Sequence, residues 1–219
     1  IHCHMLPGVD DGPEDWPESM ALARLFVKAG IQKAIITPHF IPGVYRCDIE
    51  AVSKIHEQFK KRLDDEGLNL ETSLAAEVGI FAELPEWIAE GRVPLMPTGK
   101  HLLLEAPMFG GSALMRDMTF AVLSMGITPI IAHPERSPLF MELKLAEDIV
   151  ATEGELQIDA GSIIGRWGPA IKKLAVTLID RGLVHYVASD SHGPRKRPPH
   201  EFVTASKKVE KIWGRAAKE

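Results

Sequence analysis

His2 and His4 form a His-x-His pair at the head of the chain, and residues of the same ligating kind recur wherever an apolar run ends. Those endings read Thr37-Pro38-His39, Ala76-Glu77, Leu104-Glu105, Ala132-His133 and Ser189-Asp190-Ser191-His192. Alternate residues of a strand point the same way, so His2 and His4 can grip one ion from a single strand edge through nitrogen bonds of about 2 Å. Asp11, in Val9-Asp10-Asp11-Gly12, stands on the turn after that strand, where a carboxylate can bend back over the ion. Helix capping is its alternative, and Asp10 competes for both jobs. Glu77 and Glu105 close apolar runs, where a carboxylate is costly to bury unless a cation or donor compensates it. Singly, each of these residues has an ordinary explanation as a packed histidine or a salt-bridge partner. Together His2, His4, Asp11, His39, Glu77, Glu105, His133, Asp190 and His192 make nine donors at successive run ends, enough for two or three closely spaced divalent ions.

The runs that carry these donors include Ala34-Ile35-Ile36, Leu102-Leu103-Leu104, Pro129-Ile130-Ile131 and Val184-His185-Tyr186-Val187, short apolar stretches of the kind that form buried parallel strands. Between them lie helix-like segments. Residues 15–30 space Met20, Leu22, Ala23, Phe26 and Val27 helically before Gly30, and residues 51–67 carry Ile55, Phe59 and Leu63 on one stripe before Gly67. Further helices are expected over 84–90, 112–125, 143–153, 169–181 and 199–218, and strands over the opening segment and 70–78. The rhythm gives about seven βα units in one domain spanning 1–219, a distorted or incomplete barrel more than a regular eightfold one. A parallel barrel collects all its strand ends on one face, where barrel enzymes keep their chemistry.

Composition suits this reading. The 219 residues are 45% apolar and 25% charged, an ordinary soluble balance. A formal net charge of −5 gives no electrostatic footprint for nucleic acid, although Arg195-Lys196-Arg197 is a local basic cluster. Cys3 and Cys47 cannot make a disulfide framework, which favours a reducing cytoplasm. No apolar stretch reaches the roughly 18 residues of a membrane span, so no direct membrane insertion is expected. The chain opens mid-strand at Ile1 without methionine, and a few residues are expected to precede it.

The run His-Cys-His-Met-Leu-Pro-Gly-Val-Asp-Asp-Gly, with Thr-Pro-His39, Ala-Glu77, Leu-Glu105, Ile-Ala-His133-Pro-Glu-Arg136 and Ala-Ser-Asp190-Ser-His192, resembles the polymerase and histidinol phosphatase (PHP) superfamily. More narrowly, it resembles the bacterial manganese-dependent tyrosine phosphatases of capsule and exopolysaccharide operons. The resemblance covers the whole chain in order. It implies an α/β fold, a distorted seven-stranded (β/α)7 barrel of the PHP type, with a three-metal centre held by the nine donors above. It also implies phosphate-holding roles for Arg136 and for Arg197, in the loop after Asp190-Ser-His192. Guanidinium matches phosphate oxygens bidentately, so both roles also make sense on chemical grounds, with a solvated loop charge as the alternative for Arg197. Two positions stand apart from the pattern. Phe40 follows His39 where relatives often carry a polar or basic residue, which bears on the shape of the pocket mouth. Asp159 closes another run and could orient a ligand imidazole or cap a helix.

Neither cysteine has the Cys-x5-Arg loop of a thiol phosphatase, so the hydrolytic agent expected is water activated by metal, manganese first and iron, zinc or cobalt as alternatives. By resemblance the substrate is phosphotyrosine in the tail of a bacterial tyrosine kinase governing polysaccharide export. Rival readings are a small-molecule phosphatase such as one for histidinol phosphate, a phosphodiesterase or nuclease, which the net charge disfavours, and a non-catalytic metal-binding module docking on the kinase. His56, His101, His185 and His200 read as structural. The acid that protonates the leaving group and the oligomeric state have no sequence signature.

Overall fold

The first two expected helices form where a side-chain cap and an apolar stripe coincide. In the computed structural model, which describes residues 1–213, α1 (Trp16–Lys28) starts at Asp15, whose side chain accepts the Glu18 N–H, and buries Met20, Leu22, Ala23 and Phe26. Helix α2 (Ile49–Asp65) starts two residues before the expected point because Asp48 accepts the Ala51 N–H. It buries Val52, His56, Phe59 and Leu63 along one face, and His56 is satisfied there by Thr72 Oγ1 at 2.9 Å. Helices α3 (Leu84–Ala89), α4 (Ser112–Ser124), α5 (Leu143–Ala151) and α7 (Pro169–Asp180) agree with the pattern to within two residues. Helix α8 is described over His200–Trp213, and the rest of the segment expected to Lys218 lies outside the described residues. A short helix α6 (Ala160–Ile164) and two 3-10 turns, Pro134–Arg136 and Pro138–Phe140, were not foreseen; all three are too short to show a helical period.

The strands are β1 (Lys33–Ile36), β2 (His39–Phe40), β3 (Glu71–Leu74), β4 (Glu77–Val78), β5 (His101–Glu105), β6 (Thr128–Ala132), β7 (Glu155–Asp159) and β8 (Tyr186–Ala188). All pairings are parallel. The eight described strands form a two-stranded sheet, β1-β3, and a six-stranded sheet, β2-β4-β5-β6-β7-β8, in place of one closed ring of seven. The strand expected through Ile36 ends there, and the one expected over 70–78 is split. The 33–40 run breaks at Pro38, which has no N–H to donate, and the 71–78 run breaks beside it, so β2 and β4 resume the pairing as two-residue pieces. The opening strand is reduced to a bridge between Cys3 and Ser191, flanked by His4 N to Ser191 O, Asp190 N to His2 O and Thr37 N to Cys3 O. His185 lies just before β8, with its Nδ1 accepting the Leu156 N–H at 3.2 Å.

Alternation along the strands divides the core. Leu102, Leu104, Ile131, Leu156 and Ile158 pack with Met115, Val122, Ile149 and Leu178 of the helices, while Ala75, Leu103, Ile130 and Ala132 form a separate buried cluster from the alternate positions. Two residues on from that second cluster, in the same alternation, stand Glu77 after Ala75 and Glu105 after Leu103. The apolar layer thus sets the floor on which the polar donors converge. No helix among the described residues is long and apolar enough to cross a membrane.

Candidate metal centre

Side-chain tautomers define which atoms face inward. His2 Nδ1 meets Gln157 Oε1 at 2.7 Å and His4 Nδ1 meets Asp10 Oδ2 at 2.6 Å, so each ring donates outward and turns an Nε2 lone pair inward. Those two Nε2 atoms lie 3.2 Å apart. Glu77 Oε2 is 3.1 Å from His2 Nε2 and 3.2 Å from His4 Nε2, and Asp190 Oδ1 is 3.2 and 3.4 Å from the same nitrogens. Atoms with edges of that length surround a centre about 2 Å from each, the bond length of a divalent ion to nitrogen or oxygen donors. Two facing lone pairs and two carboxylate oxygens, all buried, attract a cation and repel one another without it.

Two further groups share ligands with this one. His4, Asp11, His39 and His192 bring donor atoms within 4.8 Å of one another, and so do His39, Glu77 and Glu105. His192 Nδ1 lies 2.9 Å from the Asp190 carbonyl, to which it donates, leaving Nε2 aimed at Asp11 Oδ1 3.1 Å away. His133 Nε2 meets Glu77 Oε1 at 2.7 Å. The buried His39 Nδ1, Glu77 Oε2, Asp190 Oδ1 and His192 Nε2 have no hydrogen-bond partner, although buried polar atoms in folded proteins almost always find one. Eight of the nine expected residues fall in these overlapping groups, whose donors suit divalent ions, and His133 stands beside them through its contact with Glu77.

Backbone strain accompanies the convergence. Of the four non-glycine residues with positive φ among the described residues, three are His133, Asp190 and Arg197. Left-handed backbone is costly for such residues and persists where the surroundings over-determine it.

Electrostatics follow from the crowding of carboxylates and imidazoles. Burial raises the Glu77 carboxyl, but the His2, His133 and His39 charges overcome it and hold it well below the usual range. Asp190 is likewise held well below, burial being outweighed by His2, His4, Arg197 and His192. Burial opposes protonation of His4, and Asp10 reverses it, lifting the imidazole well above its usual value. His192 is instead pushed down to about 4 by burial and the neighbouring His4 charge.

Arg136 and Arg197 both reach Asp190 Oδ2, Arg136 at 2.7 Å, and both guanidinia lie over the Trp167 ring, 4.7 and 5.6 Å from its centroid. They line a cavity of about 340 Å³ with Asp11, His39, Ile41, Val44, Tyr45, Glu77, Glu105 and His133. Asp159 takes the capping alternative: it accepts from Gly161 N at the start of α6 and from Trp167 Nε1, and orients no imidazole. That job belongs to Gln157 and Asp10. Gln157 was missed, and its signal was a polar residue inside the apolar run Leu156-Gln157-Ile158. Phe40 does not shape the mouth, because it is buried in the core against Trp87. Trp167 and Tyr45, the latter stacked on His39 at 4.9 Å, were also missed, and no local pattern marks either.

The sequence profile of a family described as capsular polysaccharide synthesis, CpsB/CapC, matches residues 1–219. Tyrosine-protein phosphatase YwqE of Bacillus subtilis is 33% identical over 201 residues, covering 91% of this chain and 79% of the relative. Putative tyrosine-protein phosphatase CapC of Staphylococcus aureus is 31% identical, covering 90% of this chain and 78% of that one. Tyrosine-protein phosphatase CpsB of Streptococcus pneumoniae is 27% identical, with 91% and 85% covered. A crystal structure from work on YwqE of Bacillus subtilis and CpsB of Streptococcus pneumoniae, described as unique metal-dependent tyrosine phosphatases, superposes with a TM-score of 0.89 at 32% identity over 99% of this chain and 88% of that one. With the motifs, the fold and the metal-ready donor set in agreement, the chain belongs to the CpsB/CapC family, whose named members are tyrosine-protein phosphatases.

Proposed function

We propose that this protein is a metal-dependent phosphoric monoester hydrolase that removes phosphate from phosphotyrosine, acting in the cytoplasm on the tail of a bacterial tyrosine kinase that controls capsular or exopolysaccharide synthesis. The observation that carries this is the convergence of His2 Nε2, His4 Nε2, Glu77 Oε2 and Asp190 Oδ1 beside two arginines at one open pocket. Residues 1–219 act as one unit. The ring reading counts β1 with β2 and β3 with β4 as single interrupted strands and admits residues 1–4 between β8 and β1, which gives seven runs in the sense of a distorted (β/α)7 barrel.

The nine residues would hold two or three ions, eight of them in overlapping groups and His133 beside Glu77, with manganese the first candidate. When bound, such ions supply positive charge to phosphate oxygens and make a water nucleophilic near neutral pH. The chain's own residues bind and orient. Gln157 and Asp10 fix the imidazole rings, and Asp190 holds both guanidinia through one oxygen. Each arginine keeps other N–H groups of its fork for phosphate, where charge develops in the transition state.

The test is phosphate release from a phosphotyrosine peptide and from histidinol phosphate by protein purified without added metal, then loaded with manganese. Turnover of the peptide that rises with metal content and disappears in His133→Ala is expected. Preference for histidinol phosphate would favour the small-molecule reading, and peptide turnover independent of metal would overturn the mechanism.

A further inference from the structure

The pocket lining has two chemically different parts. Arg136 and Arg197, held on Asp190, make the charged part of the lining, and Ile41, Val44 and Tyr45, the last stacked on His39, make the apolar part. The apolar wall is built. After β2 the chain turns so that the Val44 and Tyr45 N–H groups both meet the Ile41 carbonyl at 3.0 Å. The base of this turn is seated on Gly79, where an added Cβ would come 2.9 Å from Ile41 Cγ1, so only glycine lets the isoleucine lie there. Tyr45 lies flat on His39, 11° from parallel, which fixes its ring relative to the metal groups. Val44 is 68% exposed, a large apolar side chain left mostly uncovered by the described residues. A solvent-facing valine beside a charged cavity is placed to cover an apolar ligand.

Resting on the proposed phosphatase reading, we propose that Ile41, Val44 and Tyr45 form an aryl-recognition wall that selects aromatic phosphomonoesters over alkyl ones. A phosphate between the ligand cluster and the arginines leaves its ester substituent facing this wall. A phenyl ring can lie against Val44 and the Tyr45 ring there and lose contact with water. A seryl or other short alkyl substituent has too little area to reach them. The wall is thus a specificity determinant, distinct from the groups that touch phosphate.

The test uses manganese-loaded protein and two non-hydrolysable inhibitors, phenylphosphonate and methylphosphonate, together with phosphotyrosine and phosphoserine peptides. In the unmodified protein phenylphosphonate should inhibit about tenfold more strongly than methylphosphonate. Val44→Ser and Tyr45→Ala should each erase most of that ratio and raise KM for the phosphotyrosine peptide more than they lower kcat. Tyr45→Phe should restore the ratio. Metal content is measured in every variant, because a loss of ions through the His39 stack would weaken both inhibitors alike. An unchanged phenyl-to-methyl ratio in Val44→Ser and Tyr45→Ala would overturn the wall. Failure of the unmodified protein to hydrolyse either peptide, with the inhibitor ratio intact, would count against the phosphatase reading instead and leave aryl binding standing.

Discussion

Asp10 and Asp11 are adjacent and chemically identical, yet the structure gives them opposite duties. Asp11 faces His39 and His192, whereas Asp10 takes His4 Nδ1 on one oxygen, shares that oxygen with the His39 N–H at 3.0 Å, and takes Gly12 N with the other. Glycine at position 12 is part of this arrangement, since a Cβ there would sit 3.0 Å from Asp10 Oδ1 and 3.1 Å from His4 Cβ. We predict that Asp10→Asn keeps the fold but weakens manganese binding by about 10- to 100-fold, the usual cost of losing a carboxylate behind a ligand histidine. Calorimetric titration of the metal-free variant measures it, and unaltered affinity would refute the orienting role. Sequence could offer both aspartates but not rank them, because their difference lies in contacts to residues far along the chain. Arg136 and Arg197 carry a related lesson. Reading them as phosphate holders omitted their grip on Asp190, so truncating either should disturb that ligand as well as the substrate.

Strand alternation made most of the site legible at the level of elements. His39, Glu77, Glu105, His133 and Asp190 stand where apolar runs end, and that regularity follows from burial of the strands on both faces. What alternation could not give was pairing. Residues 1–4 read as a strand but make only a bridge, and the 33–40 and 71–78 runs are split near Pro38. The same alternation turns Cys3 away from its neighbours. Its Sγ donates to the Ile35 carbonyl at 3.3 Å, and burial pushes the thiol up to about 11. Cys47 is also raised by burial. Thiolate is the nucleophilic form, so neither is prepared for attack. A Cys3→Ser, Cys47→Ser variant is therefore expected to keep phosphotyrosine hydrolysis within a few-fold when metal-loaded, with Cys3→Ala as the control if serine in that packed position impairs folding. A trapped phosphocysteine, or loss of turnover in a folded, metal-loaded variant, would contradict this.

For the molecule as a whole, the site couples stability to both metal and pH. In the metal-free fold His4, His39 and His133 are raised: burial opposes their charge, while Asp10 for His4 and Glu77 for the other two outweigh it. A raised histidine stabilises the fold fully below its unfolded value near 6.5, and that contribution is lost as pH rises through the folded value. Glu77 and Asp190 are depressed, so their contribution is present above about pH 4 and lost as pH falls through their folded values. His192, already pushed down to about 4, carries no proton to release near neutrality. Raising the pH from 6 to 8 therefore takes protons from these histidines in the unfolded chain while the metal-free fold still holds them against Glu77 and Asp190, and this form weakens relative to the unfolded one. Divalent ions replace those protons, so their binding strengthens over the same interval. The gap in Tm between manganese-loaded and chelator-stripped protein should widen from about pH 6 to about pH 8, as calorimetric scans at fixed free metal would show. A gap that is constant or shrinks as pH rises would mean that the imidazoles do not exchange protons for metal, and with that the nine-donor assignment would lose its physical basis.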